Sequence, residues 1–167
     1  TRVASEMHSL KELLLTSGGE AKSLEVSSQK SSQKSSKVGA HGMGGVGKTV
    51  MAAWIARDLD IRTHFDLILW ITCSQTPNIQ KLLALAYLQA TGSEVGQGKA
   101  AEEIKQMVKN AIQGKRTLLI LDDVWEAAQE SALNCVDVMD STDSRVLVTT
   151  RIKGLLPAGS AEHVSIG

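Results

Sequence analysis

The residues Gly42-Met43-Gly44-Gly45-Val46-Gly47-Lys48-Thr49 constrain the fold more than any other stretch of this chain. Their spacing is G-x-x-x-x-G-K-[S/T], a pattern that works only where a strand ends and a helix begins. A short apolar run, Val38 to His41, precedes it, and Val50, Met51, Trp54, Ile55 and Leu59 follow on a helical pattern that is apolar almost all round. Such a helix is expected to be buried. The glycines let successive backbone N–H groups turn inward around an anion, where a Cβ would obstruct them. The helix start adds unsatisfied amides and the positive end of its dipole, and Lys48 adds an ammonium that can bridge outer phosphates. Gly42 to Val50 is therefore the candidate segment for holding a nucleoside polyphosphate, and the Thr49 hydroxyl is a candidate Mg²⁺ ligand.

The rest of the chain alternates short apolar runs with longer amphipathic stretches, as a parallel sheet with crossover helices does. Leu67 to Cys73 reads as a strand covered on both faces, and Thr117 to Leu121, Arg145 to Thr149 and His163 to Ile166 complete an expected set of five parallel strands. Asn78 is placed to cap a helix carrying Ile79, Leu82, Leu83 and Ala86 on one face. Ala100 to Gln113 is a second helix, with Ile104, Met107, Val108 and Ala111 inward and Gly114 ending it. The expected class is α/β, a three-layer P-loop NTPase fold with about five parallel strands and crossover helices. Ligands belong at the carboxyl ends of such strands.

Ahead of this core, Val3, Met7, Leu10 and Leu14 mark an amphipathic helix that Gly18-Gly19 would stop. SSQKSSQKSSK, residues 27–37, has nothing to bury and reads as a solvated linker. The expected organisation is a helix and approach segment over 1–26, a linker over 27–37 and the nucleotide-binding core over 38–167.

A length of 167 residues suits one core, and 18 Lys plus Arg balance 18 Asp plus Glu. No global field recruits nucleic acid or an anionic membrane. No apolar stretch approaches the roughly 18 residues of a membrane span. Cys73 and Cys135 show no metal or C-x-x-C spacing and read as buried thiols of a reducing compartment, so a cytoplasmic location is expected. The chain opens at Thr1 rather than Met, so it is expected to be a piece of something longer.

Leu118-Leu119-Ile120-Leu121-Asp122-Asp123 is a buried strand ending in acids, the form that a metal partner for Thr49 requires. Asp122 is the candidate Mg²⁺ acid, acting through a metal-bound water, and Asp123 the candidate for orienting or deprotonating an attacking water. Val146 to Arg151 is a further strand, whose terminal Arg151 can match γ-phosphate oxygens bidentately and distinguish ATP from ADP. His41 reads as a packed residue at a strand end, and no cluster has zinc spacing.

Four blocks in order resemble the NB-ARC family, the nucleotide-binding module of plant disease-resistance proteins and apoptosome activators, within the STAND class of P-loop ATPases. They are GMGGVGKT; Phe65-Asp66 through Trp70 to Ser74-Gln75; Leu118 to Trp125 (LLILDDVW); and Ser144 to Arg151 (SRVLVTTR). The resemblance implies an ATP/ADP switch with slow Mg²⁺-dependent hydrolysis, helical subdomains that follow this segment, and a homo-oligomer in the ATP state. A P-loop kinase or fast ATPase is the alternative, although no Arg-rich lid is visible. The family's upstream h-h-G-R motif, which helps seat adenine, has its counterpart in Arg2-Val3-Ala4-Ser5, which lacks that glycine and arginine.

Overall fold

In the computed structural model, residues 2–16, 37–42, 47–136, 143–156 and 162–165 are described. The chain runs α1 (Arg2–Leu15), β1 (Lys37–His41), α2 (Lys48–Arg57), α3 (Leu59–His64), β2 (Leu67–Thr72), α4 (Ile79–Thr91), α5 (Ala101–Ile112), β3 (Thr117–Val124), α6 (Ala127–Leu133), β4 (Arg145–Thr150) and β5 (Glu162–Ser165). The five strands form one sheet in the order β2-β3-β4-β1-β5, and every neighbouring pair is parallel.

Side chains alternate across a strand with period two, so a strand buried on both faces feeds two separate cores. Leu118 and Ile120 of β3, with Leu147 of β4, pack beneath α1, α2 and α3 against Leu10, Leu14, Met51, Ala52, Ile55 and Ile61. Leu119 and Leu121, with Val146 and Val148, pack on the opposite side against Leu83 and Ala86 of α4, Ile104, Val108 and Ile112 of α5, and Leu133 of α6. The result is the expected three-layer α/β arrangement. Asn78 caps α4 as expected, its side chain accepting from the Lys81 amide at 3.1 Å, and Gly114 takes φ +76° just past α5.

Four expectations are corrected. Helix α2 is not buried all round: Val50 is 73% and Trp54 42% exposed, while Met51, Ala52 and Ile55 alone of its apolar side chains are buried. An outer-layer helix can present only one face to the sheet, however apolar its far side. Strand β2 is not covered on both faces either. It lies at the sheet edge, with Leu69 and Ile71 buried, Ile68 and Trp70 only half-buried and Thr72 exposed. Lys37, assigned to the linker, opens β1 and places its ammonium 2.9 Å from the buried Glu130 carboxylate. The rest of that linker and Gly18-Gly19 lie outside the described residues. The last strand starts one residue earlier than expected, at Glu162.

The open edge of β2 is covered by a side chain. Gln89 of α4 accepts from the Trp70 amide at 2.7 Å and donates to the Trp70 carbonyl at 2.8 Å. One amide group thus satisfies both main-chain groups of Trp70, which an edge strand would otherwise offer to another strand.

Helix α1 is tied to the α2–α3 junction through Lys11, whose ammonium contacts Asp58 at 3.0 Å and Asp60. Asp58 also caps α3, accepting from the Asp60 and Ile61 amides at 3.0 and 3.2 Å. The two aspartates favour the charged form of Lys11. Burial opposes ionisation of Asp58, but Lys11 and the two amides outweigh it and hold the carboxyl below its ordinary range.

Cys73 and Cys135 are buried and free. Burial, reinforced by Asp122 and Asp123, pushes the Cys73 thiol up to about 12, and burial pushes Cys135 up to about 11. At pH 8 only about one part in ten thousand of Cys73 and one in a thousand of Cys135 is then thiolate, the reactive form. Neither cysteine should react with a disulfide reagent in the native protein, and both should react after denaturation. Stoichiometric labelling within seconds at pH 8 without denaturant would contradict the burial.

Candidate functional site

Strand β1 delivers the glycine loop to the carboxyl end of the sheet. The Gly42 amide donates to the Thr150 carbonyl at 3.3 Å, which launches the loop beside β4. Met43, Gly44, Gly45 and Val46 lie outside the described residues. At the far side Gly47 takes φ 80° as the N-cap of α2. A Cβ there would meet nothing within 4 Å, so glycine is needed for the left-handed backbone and not for space. A glycine cap offers no side-chain oxygen, and no acid stands in the first turn of α2. The positive end of this helix is therefore left for an external anion.

Lys48 is 8% exposed, and its ammonium donates to the Gly42 carbonyl at 2.8 Å across the base of the loop. Burial lowers its pKa first and the Arg151 charge second, with Asp123 and Asp122 partly offsetting them. A cation held under that deficit favours an incoming anion.

Asp122, near the carboxyl end of β3, is 2% exposed. Its carboxylate accepts from the Thr49 hydroxyl, at 3.1 Å to Oδ1 and 3.0 Å to Oδ2, and from the Thr149 hydroxyl at 2.6 Å. Thr149 in turn accepts from the Asp123 amide at 2.9 Å. Strand β4 lies between β1 and β3, so Thr149 is carried on the strand next to the one that bears the acid. Sequence reasoning assigned no role to Thr149 or to Thr72, which also lines the cleft. Hydroxyls at the ends of otherwise apolar strands were the available signal.

Asp123 takes φ 57°, where the β3–β4 register shifts between Leu121 and Val124. Aspartate tolerates this backbone better than most residues. Its Oδ1 lies 3.8 Å from Arg151 Nε. The Arg151 guanidinium also lies over the Trp125 ring, 5.6 Å from its centre.

Gly47, Lys48, Thr49, Val50, Thr72, Asp122, Asp123, Thr149 and Arg151 line one cleft of about 550 Å³, within the usual range for a small-molecule site. Every described candidate except Gly42 is thus brought together, and Gly42 touches the group through Lys48. The Arg2 to Ser5 stretch instead forms the first turn of α1 and contributes no lining residue to this cleft. Thr49 and Asp122 are the neighbouring oxygen donors suited to a hard cation.

The sequence model of the NB-ARC domain matches residues 22–165. Disease resistance protein RPP13 of Arabidopsis thaliana is 30% identical over 119 residues, covering 68% of this chain and 14% of that protein. Disease resistance protein RGA2 of Solanum bulbocastanum is 30% identical over 114 residues, covering 67% and 12% respectively. The chain thus spans a small part of the length of these relatives. Among solved structures, a signal transduction ATPase with numerous domains (STAND) protein with a tetratricopeptide repeat sensor from Pyrococcus horikoshii superposes with a TM-score of 0.52 at 19% identity, over 78% of this chain and 20% of that one. At that identity the likeness speaks for the fold alone, and the fold is the parallel three-layer sheet of a P-loop NTPase. With a family match that takes in β1 to β5 and every residue of the cleft, the chain belongs to the NB-ARC domain family of nucleotide-binding signalling modules.

Proposed function

We propose that this domain is an ATP/ADP switch element of a cytoplasmic signalling receptor, binding nucleotide with Mg²⁺ and hydrolysing ATP slowly. The observation that carries this reading is the hydrogen-bonded chain Thr49–Asp122–Thr149 beside the buried residue Lys48. Two cis ligands of Mg²⁺, with bonds of about 2.1 Å, stand about 3.0 Å apart. The Thr49 hydroxyl and the Asp122 carboxylate already have that spacing. Because Thr49 directs its proton at Asp122, its lone pairs are left for a cation. Bound there, Mg²⁺ would neutralise charge on the outer phosphates.

In this reading Lys48 and the leading amides of α2 grip phosphate, Thr49 and Asp122 hold the metal side, directly or through water, and Arg151 meets the γ-phosphate. Asp123 faces Arg151 at 3.8 Å and, once Arg151 turns to phosphate, is the carboxylate beside an attacking water. Helical subdomains of the same protein and self-assembly in the ATP state would turn the bound nucleotide into a signal.

A ligand that binds only the folded state stabilises it by mass action. At a hundredfold excess over Kd, ATP or ADP with Mg²⁺ should add about 2.7 kcal/mol, which raises Tm by roughly 5 to 11 °C for a domain of this size. A flat thermal-shift titration at millimolar nucleotide, on folded monodisperse protein, would count heavily against the proposal.

A further inference from the structure

Arg151 is held in two ways at the mouth of the cleft. Asp123 faces its Nε at 3.8 Å, and the Trp125 ring lies 5.6 Å from its guanidinium carbon. The ionic contact is one long approach and not a bidentate fork, and the Arg151 side chain is 52% exposed. Such a contact does little by itself to orient a guanidinium. The indole supplies a plane against which it can lie. Buried indole N–H groups usually find an acceptor, yet Trp125 Nε1 is buried with no hydrogen-bond partner among the described residues. The ring is therefore not placed by a hydrogen bond, and what it offers Arg151 is its face.

We propose that Trp125 is a positioning residue for Arg151, holding the guanidinium over the cleft so that it meets a terminal phosphate already oriented. The inference rests on the reading of Arg151 as the γ-phosphate contact. Asp123 and Trp125 act on the guanidinium differently. A carboxylate uses the edge N–H donors, the same groups a phosphate needs. A ring uses the face and leaves those donors available. Arg151 can thus exchange carboxylate for phosphate while it keeps the indole. Loss of the ring should weaken binding of the triphosphate and spare the diphosphate.

The test is calorimetric titration of the folded chain with Mg²⁺-ATP and Mg²⁺-ADP, for the parent, Trp125→Phe, Trp125→Leu, Arg151→Ala and the Trp125→Leu/Arg151→Ala double variant. A cation–π contact at an exposed site corresponds to about a two- to fivefold change in affinity. Trp125→Leu, which keeps apolar bulk but removes the ring, should lower the ATP-to-ADP affinity ratio by that factor. Trp125→Phe should preserve the ratio, since it keeps a ring face and loses only an N–H that has no partner. Trp125→Leu should add nothing once Arg151 is gone. The proposal is overturned if Trp125→Leu weakens both nucleotides alike, if it shifts the ratio equally without Arg151, or if Trp125→Phe matches Trp125→Leu. Positioning is also read without nucleotide: the Arg151 Hε resonance should be ring-current shifted in the parent and lose that shift in Trp125→Leu. Absence of the shift in the parent overturns the positioning role. Its presence, together with an Arg151→Ala ratio equal to the parent's, overturns the γ-phosphate reading on which the role depends.

Discussion

Lys48→Ala should weaken both ATP and ADP by about thirtyfold to several thousandfold, in Mg²⁺ and in EDTA alike. Truncating one partner of a buried charge pair costs roughly 2 to 5 kcal/mol, and each 1.4 kcal/mol is about tenfold in Kd. Lys48 is 8% exposed, and its ammonium donates to the Gly42 carbonyl, so a phosphate seated there would be largely out of water. Without nucleotide the same variant should lose little stability. Burial and the Arg151 charge hold the Lys48 pKa below its ordinary value. A lysine with a depressed folded pKa opposes folding at pH values below that pKa, and the penalty fades as pH rises through it. Removing the group removes the penalty, which offsets the lost hydrogen bond to the Gly42 carbonyl, so Tm of the ligand-free protein at neutral pH should change little. Calorimetry with parallel thermal melts checks both halves. Undiminished affinity in a folded variant would show that the loop does not grip phosphate through this residue.

Asp122→Asn should fail in a different way, because the acid is proposed to act through the metal. It should remove most of the Mg²⁺-dependent gain in ATP affinity and any measurable turnover. Binding in EDTA should stay near the parent value, or tighten slightly as one negative charge leaves the site. Asp122 is 2% exposed and accepts from two hydroxyls. An asparagine keeps one oxygen to accept from Thr149, and its amide can donate to the Thr49 hydroxyl, which then no longer points its proton inward. The fold is thereby retained while the orientation of Thr49 is lost. Equal loss of affinity in EDTA and in Mg²⁺, with circular dichroism unchanged, would mean that Asp122 is not the metal-side acid.

Much of the fold could be read locally. The glycine loop, the Asn78 cap and the alternating apolar strands each announce themselves within a few residues, where backbone geometry and side-chain period act directly. What could not be read was set by distance along the chain. The apolar residues of α2 are the same whether a neighbour covers them or not, so composition gave no warning that Val50 and Trp54 would be exposed. Lys37 looked like linker because Glu130, the buried acid it pairs with, lies far away in sequence. Strand order cannot be taken from strand identity, and only the insertion of β4 between β1 and β3 brings Thr149 to Asp122. The candidate acids and Arg151 were legible as polar residues ending buried strands. Their mutual contacts, and the ring behind Arg151, were not.

The hydroxyl that steadies the proposed metal-side acid and the guanidinium proposed to meet the γ-phosphate are separated by a single residue, Thr150, whose own hydroxyl donates to the Val124 carbonyl at 2.7 Å. Thr149, Thr150 and Arg151 are consecutive, and each has a partner on the exit from β3. A pull on Arg151 therefore reaches the Asp122 hydrogen bond through two peptide units, with no helix or remote loop as intermediary. On the proposed reading, sensing of the third phosphate and retention of the cation are one mechanical event at the tip of one strand, and a ligand that disturbs either must be registered by both.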